Sequence, residues 1–270
     1  MIENFYFFGT SYSAGGGLKT DKTENLHAQN YLKKLITISE YKKLPKNYSV
    51  SYEFKELLNK NKIKYKNIKN LARGGCGLER IFREVHKLIF NSNFDKNKSI
   101  LIIELSDNIW RRDFYYNPIK DYVVGTHRKG LDSFYIMNKF WEDSKSTINS
   151  FLKNKEKIID FFKLTYDVNE TLKKSEIDTL MLISLLENLK INYVFSSGPY
   201  YVNPNKLNKI NFNYDKIILD DLESWIVEKK LDIYSESKGK VPDAQHLGIV
   251  GTKILSKLIF NKIFKNKILI

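Results

Sequence analysis

Apolar positions along this chain follow two rhythms. Short, nearly unbroken runs mark strands buried on both faces of a sheet: Ile2-Glu3-Asn4-Phe5-Tyr6-Phe7-Phe8, Ser99-Ile100-Leu101-Ile102-Ile103-Glu104-Leu105 and Ile191-Asn192-Tyr193-Val194-Phe195-Ser196. A shorter strand is predicted near Ile68-Lys69-Asn70. Between these runs the spacing becomes helical. Leu78, Ile81, Phe82, Val85 and Ile89 form one apolar stripe, and Ile249, Ile254, Leu258 and Phe264 mark a closing helix. Further helices are predicted at Tyr52–Leu58, Ile148–Leu164 and Glu176–Leu189, with a short one at Leu222, Trp225 and Ile226. Another, over Asn25–Ser39, would present Leu26, Tyr31, Leu32 and Leu35 on one side. Residues 116–145 read as irregular and aromatic-rich. Strands alternating with helices predict a three-layer α/β/α domain around a mainly parallel sheet of about five strands.

The loops after the strands carry the polar chemistry. The first strand runs into Phe8-Gly9-Thr10-Ser11-Tyr12-Ser13-Ala14-Gly15-Gly16-Gly17, a turn of glycine, hydroxyl and small residues. In a parallel sheet the carboxyl ends of strands line the ligand crevice, so a serine here is placed for chemistry. The run is not a phosphate-binding loop, because Leu18 separates the glycines from Lys19-Thr20. The dinucleotide fingerprint fails as well, with Thr20 where its third glycine would fall. A plain Gly-rich turn is the competing reading.

Composition narrows the field. With 270 residues, 42% hydrophobic, and no Ser/Pro/Gly linker, the chain reads as one globular domain spanning 1–270 with an insertion at 18–47. The formal charge of +14 invites a nucleic-acid reading, but lysines are spread along the whole chain and interleaved with Asn and Ile. No nucleic-acid partner is expected. The single Cys76 excludes internal disulfides, and four dispersed histidines (His27, His86, His127, His246) suggest neither a metal site nor a cofactor. The first strand begins at residue 2 without a basic leader, and no apolar run reaches membrane-span length, so a cytoplasmic protein is expected. A basic amphipathic tail, Lys257–Ile270, admits a membrane-surface role beside its reading as a helix packed on the sheet.

Four short motifs occur in an order that resembles the SGNH (GDSL-type) hydrolases. Gly9-Thr10-Ser11-Tyr12-Ser13-Ala14-Gly15 is similar to the family's Gly-Asp-Ser-x-x-x-Gly block, with Thr10 in place of Asp. Asn70 and Gly75 resemble the second block. Ser106-Asp107-Asn108-Ile109 resembles Gly-x-Asn-Asp, with Ser106 and Ile109 departing from it. Asp243-Ala244-Gln245-His246 resembles Asp-x-x-His, directly before the last helix.

The resemblance implies a flavodoxin-like SGNH fold and a serine esterase without a cofactor. Ser11 would be the nucleophile, His246 its base and Asp243 the partner of the imidazole. The Ser11 N–H, the Gly75 N–H and the Asn108 amide would hold the oxyanion. It also implies a small-molecule or carbohydrate ester substrate, with a carbohydrate O-acetyl ester as the suggested class. Arg73, Arg80, Arg111 and Arg112 near the strand ends add an anionic substrate to that expectation. An O-acyltransferase using the same triad, and a non-catalytic binding protein on the same fold, are the alternatives.

Duller readings of the same residues stay open. Ser13 competes with Ser11, His246 and Asp243 would serve as helix start and helix cap, and Asn108 and Gly75 as turn residues. Cys76 would be a small buried residue beside a turn.

Overall fold

A computed structural model describes residues 2–15, 43–45, 47–72, 77–105, 111–117, 120–127, 130–138, 160, 164, 167–239 and 246–265. The first apolar run forms strand β1 (Asn4–Phe8), which ends in the one-turn helix α1 (Ser11–Ala14). Helix α2 (Val50–Lys60) follows, then β2 (Asn67–Asn70), α3 (Leu78–Ile89) and β3 (Ser99–Glu104). Three strands, β4 (Arg111–Asn117), β5 (Lys120–His127) and β6 (Gly130–Asn138), precede the long helix α4 (Val168–Asn188) and strand β7 (Asn192–Ser197). Short helices α5 (Pro204–Lys209), α6 (Leu222–Glu228) and α7 (Ile233–Glu236) lead to α8 (Ile249–Phe264).

Strands β2, β1, β3 and β7 form a parallel sheet in that order. Numbered among themselves, the parallel strands run 2-1-3-4, the beginning of the flavodoxin-like order. A fifth position is only begun: Ile217 makes an isolated parallel bridge to Phe195, and Ile218 N–H donates to Phe195 O at 2.8 Å.

Side chains alternate across this sheet with period two, as a pleated strand requires. Tyr6, Phe8, Leu101, Ile103, Tyr193 and Phe195 pack with α3 (Leu78, Ile81, Val85) and α4 (Leu182, Ile183, Leu186). Phe5, Phe7, Ile100, Ile102 and Val194 pack with α2 (Val50, Phe54, Leu58) and α8 (Leu255, Ile259, Phe260, Ile263). Two separate apolar layers on one sheet are the three-layer architecture expected from the alternation of strands and helices. The change of face between α2 and α3 accompanies the reversal of strand order at β1, which makes the β1/β3 boundary the topological switch point.

Local signals set the helix ends. The Ser49 hydroxyl accepts from Tyr52 N–H at 3.3 Å and starts α2 ahead of its predicted first residue. Asp167 does the same for α4 through Glu170 N–H at 2.9 Å, so that helix begins well before Glu176.

The expectation of an irregular segment over 116–145 is overturned for its described residues, 116–117, 120–127 and 130–138. Strands β4, β5 and β6 form an antiparallel meander across Arg111–Asn138. The signal was present in three runs rich in Tyr, Val, Ile and Phe, separated from one another at Asn117-Pro118 and Lys129-Gly130. The predicted helices at Asn25–Ser39 and, apart from isolated positions, Ile148–Leu164 lie outside the described residues, as does most of the 18–47 insertion. Among the described residues no helix is long and apolar enough to cross a membrane.

Candidate active site

The turn after β1 is built around two glycines that tolerate no side chain. Gly9 has φ 151°, and a Cβ there would lie 2.6 Å from the Cβ of Glu104 and 2.7 Å from its Oε2. Gly15 has φ 77°, and a Cβ there would strike the carbonyl oxygen of Tyr48 and crowd Ser49. Both lie in the region of positive φ that favours glycine. They are the first and last positions of the Gly-x-Ser-x-x-x-Gly block. Between them, Thr10 O accepts from Ala14 N–H at 3.0 Å and closes the single turn of α1 with Ser11 at its start.

Glu104, the last residue of β3, holds this turn from the neighbouring strand. It is 1% exposed. Its Oε1 accepts from Thr10 N–H at 3.2 Å and from the Thr10 hydroxyl, and its Oε2 accepts from Ser13 N–H at 2.7 Å. Burial pushes the Glu104 carboxyl above the usual carboxylate range, and the donors from Ser13 and Thr10 offset only part of that. Beside it, the β3–β7 register shifts between Ile103 and Glu104, which pair with Phe195 and Ser197, leaving Ser196 as the extra residue of a bulge. On the other flank, the Asn70 side chain at the end of β2 donates to Ser13 O at 3.0 Å and accepts from Ala72 N–H at 3.1 Å. The ends of β2, β1 and β3 are thus cross-linked through the residues around Ser11.

His246 stands two residues before the N-cap of α8, Gly248. It is half-buried, and its carbonyl accepts from Ile233 N–H at 2.9 Å. Leu247 bridges to Asp232, and Gly248 N–H donates to Leu231 O at 2.8 Å, so the segment is pinned along its backbone. Among the described residues, Glu236 reaches this end of α8 and accepts from Gly251 N–H at 3.1 Å. Tyr48, 1% exposed, touches both regions: its backbone closes the space beside Gly15, and its hydroxyl lies 3.5 Å from Ile249 O at the start of α8.

Of the residues singled out from the sequence, Ser11 opens α1 at the switch point and His246 precedes α8. Gly75, Asn108 and Asp243 lie outside the described residues, as do Arg73 and Cys76. The strands that precede Gly75 and Asn108, β2 and β3, flank β1 and end on the same edge of the sheet. Arg80 is buried in the first turn of α3, and Arg111 and Arg112 open β4. Ser13, the rival nucleophile, is 1% exposed and its N–H is committed to Glu104. Glu104, Asn70 as a clamp, and Tyr48 were missed. Glu104 was legible as a carboxylate closing an otherwise apolar strand.

No protein-family model matches the chain, and no curated protein matches it. Among solved structures it is similar to the acetyl xylan esterase AlAXEase, with a TM-score of 0.45 and 11% identity over 97% of this chain and 100% of that one. It is also similar to a protein described as a GDSL-like lipase from Parabacteroides merdae, with a TM-score of 0.40 and 12% identity over 97% of each chain. The strand order and the two apolar layers of the chain itself make this an α/β/α fold of flavodoxin-like order, the architecture that the resemblance to SGNH hydrolases implies.

Proposed function

We propose that this chain is a serine esterase of one domain, with Ser11 as its nucleophile. The observation that carries the reading is the turn itself. A serine follows the first strand at the switch point of a parallel sheet, in a turn whose two glycines are both sterically required. Ligands bind at such points because strand order reverses there and opens a crevice.

In the proposed mechanism the Ser11 oxygen attacks the carbonyl carbon of an ester while His246 takes the hydroxyl proton. Asp243 accepts the other ring hydrogen of His246 and supports the imidazolium. The Ser11 N–H, the Gly75 N–H and the Asn108 amide receive the oxyanion, each contributing about 3 kcal/mol to the transition state. The carbon–oxygen bond to the alcohol then breaks and His246 returns the proton to the leaving oxygen. Water, activated by the same imidazole, releases the acid from Ser11 and regenerates the hydroxyl. A carbohydrate O-acetyl ester is the proposed substrate, and Arg111 and Arg112 are the proposed contacts for an anionic group on it.

The test is hydrolysis of p-nitrophenyl acetate by the wild type, Ser11→Ala and His246→Ala, with intact-mass detection of an acetyl adduct. The reading expects turnover and an adduct in the wild type, and loss of both in Ser11→Ala. Activity retained in Ser11→Ala would remove Ser11 from the chemistry. Partition of the acyl group between water and added sugar acceptors separates hydrolysis from acyl transfer.

A further inference from the structure

We infer that Glu104 is a positioning residue for Ser11, supplying from the neighbouring strand β3 the carboxylate that fastens the turn in which the serine stands. The inference rests on Ser11 being the nucleophile proposed above. The SGNH block has its own acidic residue directly before the serine, and this chain has Thr10 there. A carboxylate nevertheless reaches Thr10, from 94 residues away, bonded to the Thr10 N–H and to the Thr10 hydroxyl. Its second oxygen takes the Ser13 N–H at 2.7 Å. Ser11 therefore lies between two residues whose backbone donors converge on one buried group.

The clamp holds in either protonation state of Glu104. As a carboxylate it accepts from the backbone and side chains of both Thr10 and Ser13. As a neutral acid, its O–H donates to the Thr10 hydroxyl, which accepts as readily as it donates, while both backbone N–H bonds remain. A glutamine has no such option. Whichever way its amide is turned, the NH2 group faces a backbone N–H, that of Thr10 or that of Ser13, and one buried donor loses its acceptor. Space is equally restrictive, because Gly9 packs against the Cβ and Oε2 of Glu104. The carboxyl therefore has no free space on the side of Gly9.

A misplacement of about 1 Å at a reacting atom can cost about a hundredfold in rate. The experiment measures the rate at which a fluorophosphonate forms a phosphorus–oxygen bond at Ser11 with loss of fluoride, and the amide exchange of a peptide covering residues 8–15. Variants are Glu104→Gln, Thr10→Val and Thr10→Ser. Ile259→Val, a core change distant from the turn, reports the effect of lowered stability alone.

The expected result is at least tenfold slower labelling and faster exchange of the Thr10 and Ser13 amides in Glu104→Gln and Thr10→Val. Thr10→Ser keeps the hydroxyl and should recover the rate to within a few-fold, and Ile259→Val should label like the wild type. Should Glu104→Gln fail to fold, Thr10→Val against Thr10→Ser makes the same comparison. Wild-type labelling and exchange in Glu104→Gln and Thr10→Val would overturn the inference. Absence of label at Ser11 in the wild type would instead overturn the reading of Ser11. That result is separable, because amide exchange reports the clamp without any reaction.

Discussion

A Cβ placed on Gly9 would lie 2.6 Å from the Cβ of Glu104, closer than real Cβ atoms approach one another. The end of β1 and the end of β3 thus share one small volume, in which a glycine and a carboxylate fit only together. Gly9→Ala would add a steric clash to a φ of 151° that alanine avoids, and should cost about 3 kcal/mol. Urea denaturation reads this directly. Because the clash is with the Cβ and carboxyl of Glu104, combining Gly9→Ala with Glu104→Gly, which removes both, should cost less than the sum of the two.

Glu104 also sets a dependence of stability on pH. Burial raises its folded-state pKa above the ordinary carboxylate value, so the folded chain binds this proton more tightly than the unfolded chain does. Its contribution is fully present below the unfolded-state pKa of about 4.3 and is lost as pH rises through the folded-state pKa. The stability of the wild type relative to Glu104→Gln, followed by urea titration from about pH 4 to neutrality, should therefore fall with rising pH. A flat or rising difference would contradict a buried carboxyl of raised pKa.

Phe54 is the centre of an aromatic group, with ring centroids 5.2 Å from Phe5, 5.4 Å from Phe7 and 6.1 Å from Phe260. It is fully buried between α2, β1 and α8. Phe54→Ala leaves a cavity touching three elements at once and should cost about 4 kcal/mol by thermal or urea unfolding.

At Tyr48 the ring and the hydroxyl can be weighed separately. The hydroxyl contact with Ile249 O is 3.5 Å, at the outer limit of a hydrogen bond, whereas the side chain is 1% exposed. Tyr48→Phe should cost less than about 1 kcal/mol, and Tyr48→Ala about 4 kcal/mol. Similar losses in both would make the hydroxyl the main link between α1 and α8.

The parts of the fold legible in the sequence are those where one residue pattern answers to one environment. The run Ser99–Glu104 is buried on both faces and is apolar on both, so it read as a central strand without help from context. The stripe Leu78, Ile81, Val85 gave α3 its observed span because its buried side follows a 3.6-residue period. Ser11 and His246 were legible as residues of short motifs, yet the residue that fastens Ser11's turn comes from another strand. Nothing near Ser11 in sequence points to Glu104, because the contact depends on the β1–β3 register. The meander within Arg111–Asn138 reads as irregular in the sequence because its strands follow one another with only two residues between them and mix charged with aromatic residues, so none stands apart as an apolar run.

The packing of α8 has a consequence for synthesis on the ribosome. Ser256 on α8 lies 2.8 Å from Val50 O on α2, a contact spanning 206 residues of sequence. The α3 and α4 side of the sheet has all its buried apolar residues once the chain has been made as far as Phe212. The opposite side, with Phe5, Phe7 and Phe54, lacks Leu255, Ile259 and Phe260 until α8 has been made. Vectorial folding therefore leaves one aromatic face of the nascent sheet uncovered through most of translation, a long-range dependence that slows folding and calls for chaperone protection.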